Sequence, residues 1–274
     1  MTLFVQPGRV VSGDDDIYFE LIHQGETDDR PLVALTHGAG GSHASWFQQA
    51  PVLGQTYRVL TWDSRGFGNS SARGGVSAEA AASDLGLVLD AVGVDAAHLV
   101  GQSMGGWWVT EFAVRNPARV RSLALCDTIG ALFTPALDAH FTEFRRAGGL
   151  GVGPNGAQEL GRHRAISPAT ADRDPTLGFL YQQLGSFFTP PMREVGEALR
   201  AARRSHEEVA ALGAPVLFLV GAQDEIFPPP LVAESAMLIP GSQYVEIPDA
   251  GHSPYFEQPE AFNHALMAFL AGVG

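Results

Sequence analysis

HLVGQSMGGWWV, residues 98–109, carries a short apolar run into a corner at Gly101-Gln102-Ser103-Met104-Gly105 and leaves it with helical periodicity. AHLVG (97–101) has the length and apolarity of a buried strand, and Met104, Trp108 and Phe112 recur at i, i+4 and i+8. Gly-x-Ser-x-Gly between a strand and a helix is the pattern of a nucleophile elbow. Small residues at 101 and 105 let the backbone fold tightly enough to hold Ser103 in a strained conformation with its hydroxyl in a cleft. Ser103 is the candidate nucleophile.

Working outward, PLVALTH (31–37), RVLTWD (58–63), VRSLALC (120–126) and PVLFLVG (215–221) are further short apolar runs without strict alternation, as expected of parallel strands covered on both faces. Helical segments separate them. Ser77 can cap a helix carrying Leu85, Val88, Leu89 and Val92 that Gly93 closes. Pro259 suits the first turn of a last helix with Phe262, Leu266, Phe269 and Leu270 on one face. The alternation predicts a mainly parallel α/β sheet with helices on both faces, and RVV with DIYFELIHQG an antiparallel start to it.

The alternation stops between about Thr128 and Ser205, where helical stretches are joined by Gly and Pro. The expected division is a core of residues 1–127 and 208–274 with a helical cap inserted at 128–207. Phe133, Phe141, Phe144, Phe179, Phe187 and Phe188 are placed to roof an apolar pocket or to pack the cap's own small core. GVGPNG (151–156) matches the dinucleotide pattern GxGxxG, but no strand precedes it and Pro154 stands where a helix should open, so it reads as a cap loop.

HGAGG (37–41), DSRGFGNS (63–70), GQSMGG (101–106), GAQDEIFP (221–228) and AGHSPYFEQP (250–259) together resemble the α/β-hydrolase family over nearly the whole chain outside the cap. The resemblance implies a twisted, mainly parallel sheet with an inserted helical lid, and a Ser-Asp-His triad of Ser103, Asp224 and His252. A serine hydroxyl needs a base to take its proton, and an aspartate holds the imidazole tautomer and stabilises the imidazolium. The oxyanion donors implied are the N–H groups of Met104 and Ala39, with Gly40 the alternative to Ala39. Asp127, directly after VRSLALC, is the alternative acid; otherwise it caps a turn at the cap's entrance. His37 is expected to organise the oxyanion loop, Asp63 and Arg65 to tie a turn, and His43 to be solvated. Of Trp107 and Trp108, one is expected in the core and the other at the pocket.

Composition narrows the function classes. Asp plus Glu is 30 against 17 for Lys plus Arg, a net charge of −13, so nucleic acid and anionic membranes are not the expected partners. All basic side chains except histidine are arginine, which excludes lysine chemistry such as a Schiff base, a Walker A loop or a lysine-dependent hydroxynitrile lyase. The remaining histidines show no ligand spacing and no metal is expected. The single cysteine, Cys126, reads as a buried thiol. Neither a leader nor a membrane span is evident, so a cytoplasmic location is expected.

The expected function is a cofactor-independent serine hydrolase cleaving a small carboxylic ester or lactone through an acyl-enzyme, with a small-molecule substrate as its partner. Resemblance within the family leaves enol-lactonase, perhydrolase and carbon–carbon bond hydrolase as alternatives, although Ser253 stands where the last commonly has tryptophan. Ser103 argues against dehalogenases and epoxide hydrolases, which use aspartate at the elbow. The alternative from another class is a non-catalytic ligand receptor on the same fold.

Overall fold

The computed structural model describes residues 2–149, 159–187 and 190–273. Its strands are β1 (Phe4–Ser12), β2 (Asp15–His23), β3 (Leu32–Thr36), β4 (Arg58–Trp62), β5 (Ala97–Gln102), β6 (Val120–Cys126), β7 (Val216–Gly221) and β8 (Gln243–Ile247). They form one eight-stranded sheet in the order β1-β2-β4-β3-β5-β6-β7-β8. The pairs β1–β2 and β2–β4 are antiparallel and every later neighbour is parallel. The five apolar runs are β3 to β7. The N-terminal antiparallel start is also as expected, whereas β8 (QYVEI) has no apolar run to announce it.

Burial on both faces explains those runs. Alternate residues of β3, Val33 and Leu35 against Leu32 and Ala34, enter two different apolar clusters, and Phe218 and Val220 of β7 face away from Leu217 and Leu219. In chain order the helices are α1 (Ala50–Leu53), α2 (Ala78–Ala91), α3 (Met104–Arg115), α4 (Pro135–Arg146), α5 (Pro168–Arg173), α6 (Pro175–Leu184), α7 (Met192–Ala201), α8 (His206–Ala210), α9 (Pro229–Met237), α10 (Pro254–Glu257) and α11 (Pro259–Ala271). Leu85, Val88 and Leu89 of α2 join Trp108 and Phe112 of α3 in one cluster; Phe262, Leu266 and Phe269 of α11 join Trp46 in the other. Ser77 Oγ accepts the Ala80 N–H at 3.1 Å to start α2, and Gly93 follows its end at φ +67°.

After β3 the chain goes to β4 on one side, then crosses to β5 on the other. The loops leaving β3 and β5 therefore separate at a topological switch point, where an open α/β sheet forms its crevice. Those loops carry His37–Gly41 and Ser103.

Helices α4 to α7 lie between β6 and α8 in sequence. Phe133, Phe141 and Phe144 pack against the core cluster that includes α3, but Phe179 and Phe187 face outward, 41% and 62% exposed. The expectation that all the insert's phenylalanines roof a pocket or pack a core is thus corrected for these two. Phe188 and GVGPNG (151–156) lie outside the described residues.

Candidate active site

Ser103 joins β5 to α3 at φ +49° and ψ −119°, a region disfavoured for a residue with a Cβ. Its N–H donates to the Cys126 carbonyl at 3.0 Å, pinning the corner to the end of β6. A Cβ on Gly101 would fall 2.6 Å from the Gly105 carbonyl oxygen, and one on Gly105 would strike the Thr36 carbonyl. Glycine at both positions lets α3 begin against β3 and β5, and the strained serine is held by this packing.

Opposite the elbow, Gly38 to Gly41 form a turn closed by the Gly41 N–H to Gly38 carbonyl bond at 3.0 Å, with Gly40 at φ +80°. His37 fixes it. Its Nε2 accepts the Ser64 N–H at 2.9 Å, so its proton is on Nδ1, which donates to the Gly38 carbonyl at 2.7 Å. Burial lowers the pKa of this enclosed ring, outweighing the nearby Asp63 carboxylate, and a neutral imidazole suits both bonds. The N–H groups of Ala39, Gly40 and Met104 have no protein acceptor among the described residues. Met104 opens α3, so its amide is at the positive end of a helix.

His252 and Asp224 come together from loops after β8 and β7. Nδ1 of His252 is 2.9 Å from Asp224 Oδ2, while Asp224 Oδ1 accepts the N–H groups of Ile226 (2.8 Å) and Phe227 (3.1 Å). Both residues are buried, and the Phe227 ring stacks on the imidazole at 5.5 Å. His252 Nε2 has no protein hydrogen bond among the described residues, which leaves it available to a hydroxyl. Gln102, next to Ser103, donates from Nε2 to the His252 carbonyl at 3.0 Å and so ties the elbow to the histidine loop. Glu257 holds that loop from below. Its Oε1 accepts the N–H groups of Gly251 (2.9 Å) and Ser253 (3.3 Å), and its Oε2 that of Ser167 (2.8 Å), joining both flanks of His252 to the segment before α5.

Asp127 is close by but oriented differently. One oxygen accepts the Gly221 N–H at 2.8 Å, while the other is sealed from solvent without a partner. Burial first, then the charge of Asp224, pushes the Asp127 carboxyl well above the ordinary carboxylate range. Ligand-capable atoms of Asp127, Asp224 and His252 lie within 4.8 Å of one another. The Asp224 and His252 atoms face each other in a hydrogen bond and Asp127 favours its proton, so the group has the chemistry of a proton-handling cluster more than of a cation site.

A cavity of about 240 Å³ opens over the turn and elbow, lined by Gly38–Gly41, Ser45 and Gln102 from below. His163, Tyr181, Gln182, Leu184 and Met192 of the insert, with Tyr255, complete it. The expected split of the tryptophans holds in part: Trp108 is in the core, and Trp107 packs with Phe133 and Phe227 beside His252. Arg145 and Arg146 on α4 are exposed and do not line the cavity. Asp63 does brace its turn, accepting the Asn69 N–H at 2.8 Å. Arg65 reaches further, to Asp15 and Asp84. His43 is not merely solvated: Nδ1 is 2.8 Å from buried Asp63. Burial opposes charge on that ring, but the Asp63 bond and the charges of Asp63 and Glu20 prevail and raise its pKa. Gln102, Glu257, His163 and Tyr181 were not singled out by sequence. Glu257 lies within AGHSPYFEQP and could have been questioned there; His163 and Tyr181 belong to no pattern that reports a pocket.

The chain matches the alpha/beta hydrolase fold family over residues 31–259 and belongs to it; it is an α/β-hydrolase, an enzyme. A Mycobacterium tuberculosis protein named as a non-heme bromoperoxidase, BpoC, is 29% identical over 89% of this chain and 94% of its own. The 3-oxoadipate enol-lactonase 1 of Acinetobacter baylyi is 25% identical over 90% and 91%. Among solved structures, a thermophilic esterase from Thermogutta terrifontis superposes with a TM-score of 0.77 at 29% identity, covering 98% of this chain and 99% of that one. No described helix is long and apolar enough to cross a membrane.

Proposed function

We propose that this chain is a cofactor-independent serine hydrolase of small, uncharged carboxylic esters or lactones, with residues 128–207 forming a cap over the site. One observation carries the reading: a strained, glycine-flanked Ser103 packs beside Gly38, in a turn whose neighbouring N–H groups have no protein acceptor, and adjoins Gln102, which is bonded to the loop of a His252–Asp224 pair whose Nε2 is unengaged. In this reading His252 Nε2 takes the hydroxyl proton as Ser103 Oγ attacks the carbonyl carbon. The negative charge on the former carbonyl oxygen is received by the amides of Met104 and Ala39, with Gly40 the alternative to Ala39. Collapse breaks the ester C–O bond, and His252 returns the proton to the departing alkoxide. Water, deprotonated by the same imidazole, then releases the acid and regenerates Ser103. Asp224 orients the ring and stabilises its charged form.

An uncharged substrate follows from the cavity lining, which contains no arginine or carboxylate among the described residues. That lining disfavours an enol-lactone that carries a free carboxylate, as 3-oxoadipate does once its other carboxyl group has closed the ring, despite the likeness to an enol-lactonase. Steady-state hydrolysis of p-nitrophenyl esters and simple lactones tests the proposal. Turnover that disappears in Ser103→Ala supports it; no turnover by the wild type, with ligand binding retained, favours the receptor reading.

A further inference from the structure

Several polar groups facing the cavity are held by partners in the protein itself. Gln102 Nε2 donates to the His252 carbonyl. Gln182 is fully used: Oε1 accepts the Gly161 N–H at 2.9 Å, and Nε2 donates to the carbonyls of Glu159 (2.8 Å) and Arg162 (2.7 Å). The Tyr181 hydroxyl accepts from Ser253 Oγ at 2.9 Å and Ser45 Oγ accepts the Ser42 N–H at 3.1 Å, which leaves each a proton on a rotatable O–H.

His163 differs in that its donor is a ring N–H whose direction is fixed. Its Nδ1 accepts the Ala165 N–H at 3.1 Å, which places the ring proton on Nε2. That nitrogen has no protein partner among the described residues and is not sealed from solvent. Tyr181 holds the ring, with centroids 5.2 Å apart, and the Gln182 bonds brace the backbone of the loop just before it. Burial, then the neighbouring His252, lowers the His163 pKa, which favours the neutral tautomer. The result is a fixed, uncharged N–H donor on a residue that lines the small cavity over the elbow and the Gly38–Gly41 turn and also borders a second cavity with Arg164, Gln223 and Glu225.

We propose that His163 is a specificity-determining residue whose Nε2–H binds a second, uncharged oxygen acceptor on the substrate, a keto or ether oxygen separate from the scissile ester. The inference rests on the esterase reading and narrows it to oxygenated acyl or alkyl esters. Once substrate fills the cavity and shuts out water, a donor left without an acceptor is penalised, so a substrate lacking that oxygen is discriminated against.

The test compares shape-matched pairs that differ in a keto oxygen against a methyl group. On the acyl side, p-nitrophenyl oxoalkanoates with the ketone one, two or three methylenes from the ester are paired with their methyl-branched counterparts. On the alcohol side, 2-oxopropyl butanoate is paired with isobutyl butanoate. For at least one pair, the oxo-to-methyl ratio of kcat/KM should fall about tenfold in His163→Phe, a loss of the order of one hydrogen bond. His163→Gln, which restores an N–H donor at similar reach, should recover part of it. A ratio unchanged in every pair would overturn the proposal while leaving the esterase reading standing. Failure of the wild type to hydrolyse either series would overturn both, and is recognised by loss of the methyl-branched reactions as well.

Discussion

Asp224 and Asp127 illustrate how one residue type meets different surroundings within a few ångströms. Asp224 meets the imidazole Nδ1 and two backbone N–H groups, whereas Asp127 has one backbone donor and a sealed, unpartnered oxygen. Asp224→Asn should therefore lower kcat at least about a hundredfold by favouring the wrong histidine tautomer, and Asp127→Asn should stay within about tenfold. Kinetics of the two variants on one ester check this; the reverse ranking would reassign the acid. Asp127 also predicts a pH effect on stability. Its carboxyl is held above the ordinary 3.8, so folding takes up a proton once the unfolded chain ionises, and stability falls as pH rises from there towards the folded-state pKa. Asparagine removes that dependence. The Tm of Asp127→Asn relative to wild type should be higher at about pH 8 than at about pH 5, by roughly 3 °C or more; no difference between the two pH values would contradict the assignment.

Elements supply what single residues cannot: α3 presents the serine, the turn after β3 presents amides, and α10 holds the histidine loop through Glu257. Glu257→Gln replaces one carboxylate oxygen with an amide that cannot accept, facing either Ser167 N–H or the Gly251 and Ser253 N–H groups. It should lower kcat about tenfold with less change in KM, since it acts through the position of His252. A change confined to KM would assign Glu257 to substrate binding instead. The elements that build the site were legible because their reasons are local. Gly101 and Gly105 mark a forced close approach, and β3 to β7 are apolar because both faces are covered. β8 was missed because an edge strand with a largely accessible QYVEI needs no apolar run. His163 and Tyr181 were missed because their importance comes from how α6 and the loop before α5 fold back over the elbow, a long-range contact that no periodicity encodes.

At the scale of the whole molecule, a net charge of −13 surrounds a cavity with no charged side chain among its described lining residues. Anionic substrates meet long-range repulsion and find no cation in that lining, while neutral ones meet neither effect. A p-nitrophenyl monoester of a dicarboxylic acid should have kcat/KM at least about tenfold below its neutral methyl-capped analogue, with the gap narrowing as salt shortens the Debye length from about 30 Å at 0.01 M to about 8 Å at 0.15 M. Rates measured across that salt range decide it; preference for the charged ester would require a cationic group in the working pocket.

The kinetic expectations depend on Ser103 Oγ being the atom that bonds to the substrate. The most direct measurement is reaction of the intact protein with a fluorophosphonate, followed by intact-mass and peptide mapping. The account predicts one phosphonyl group per chain, on Ser103, with hydrolysis lost in step with labelling and no labelling in Ser103→Ala. Full activity after labelling, or a stoichiometric adduct on another residue, would contradict it.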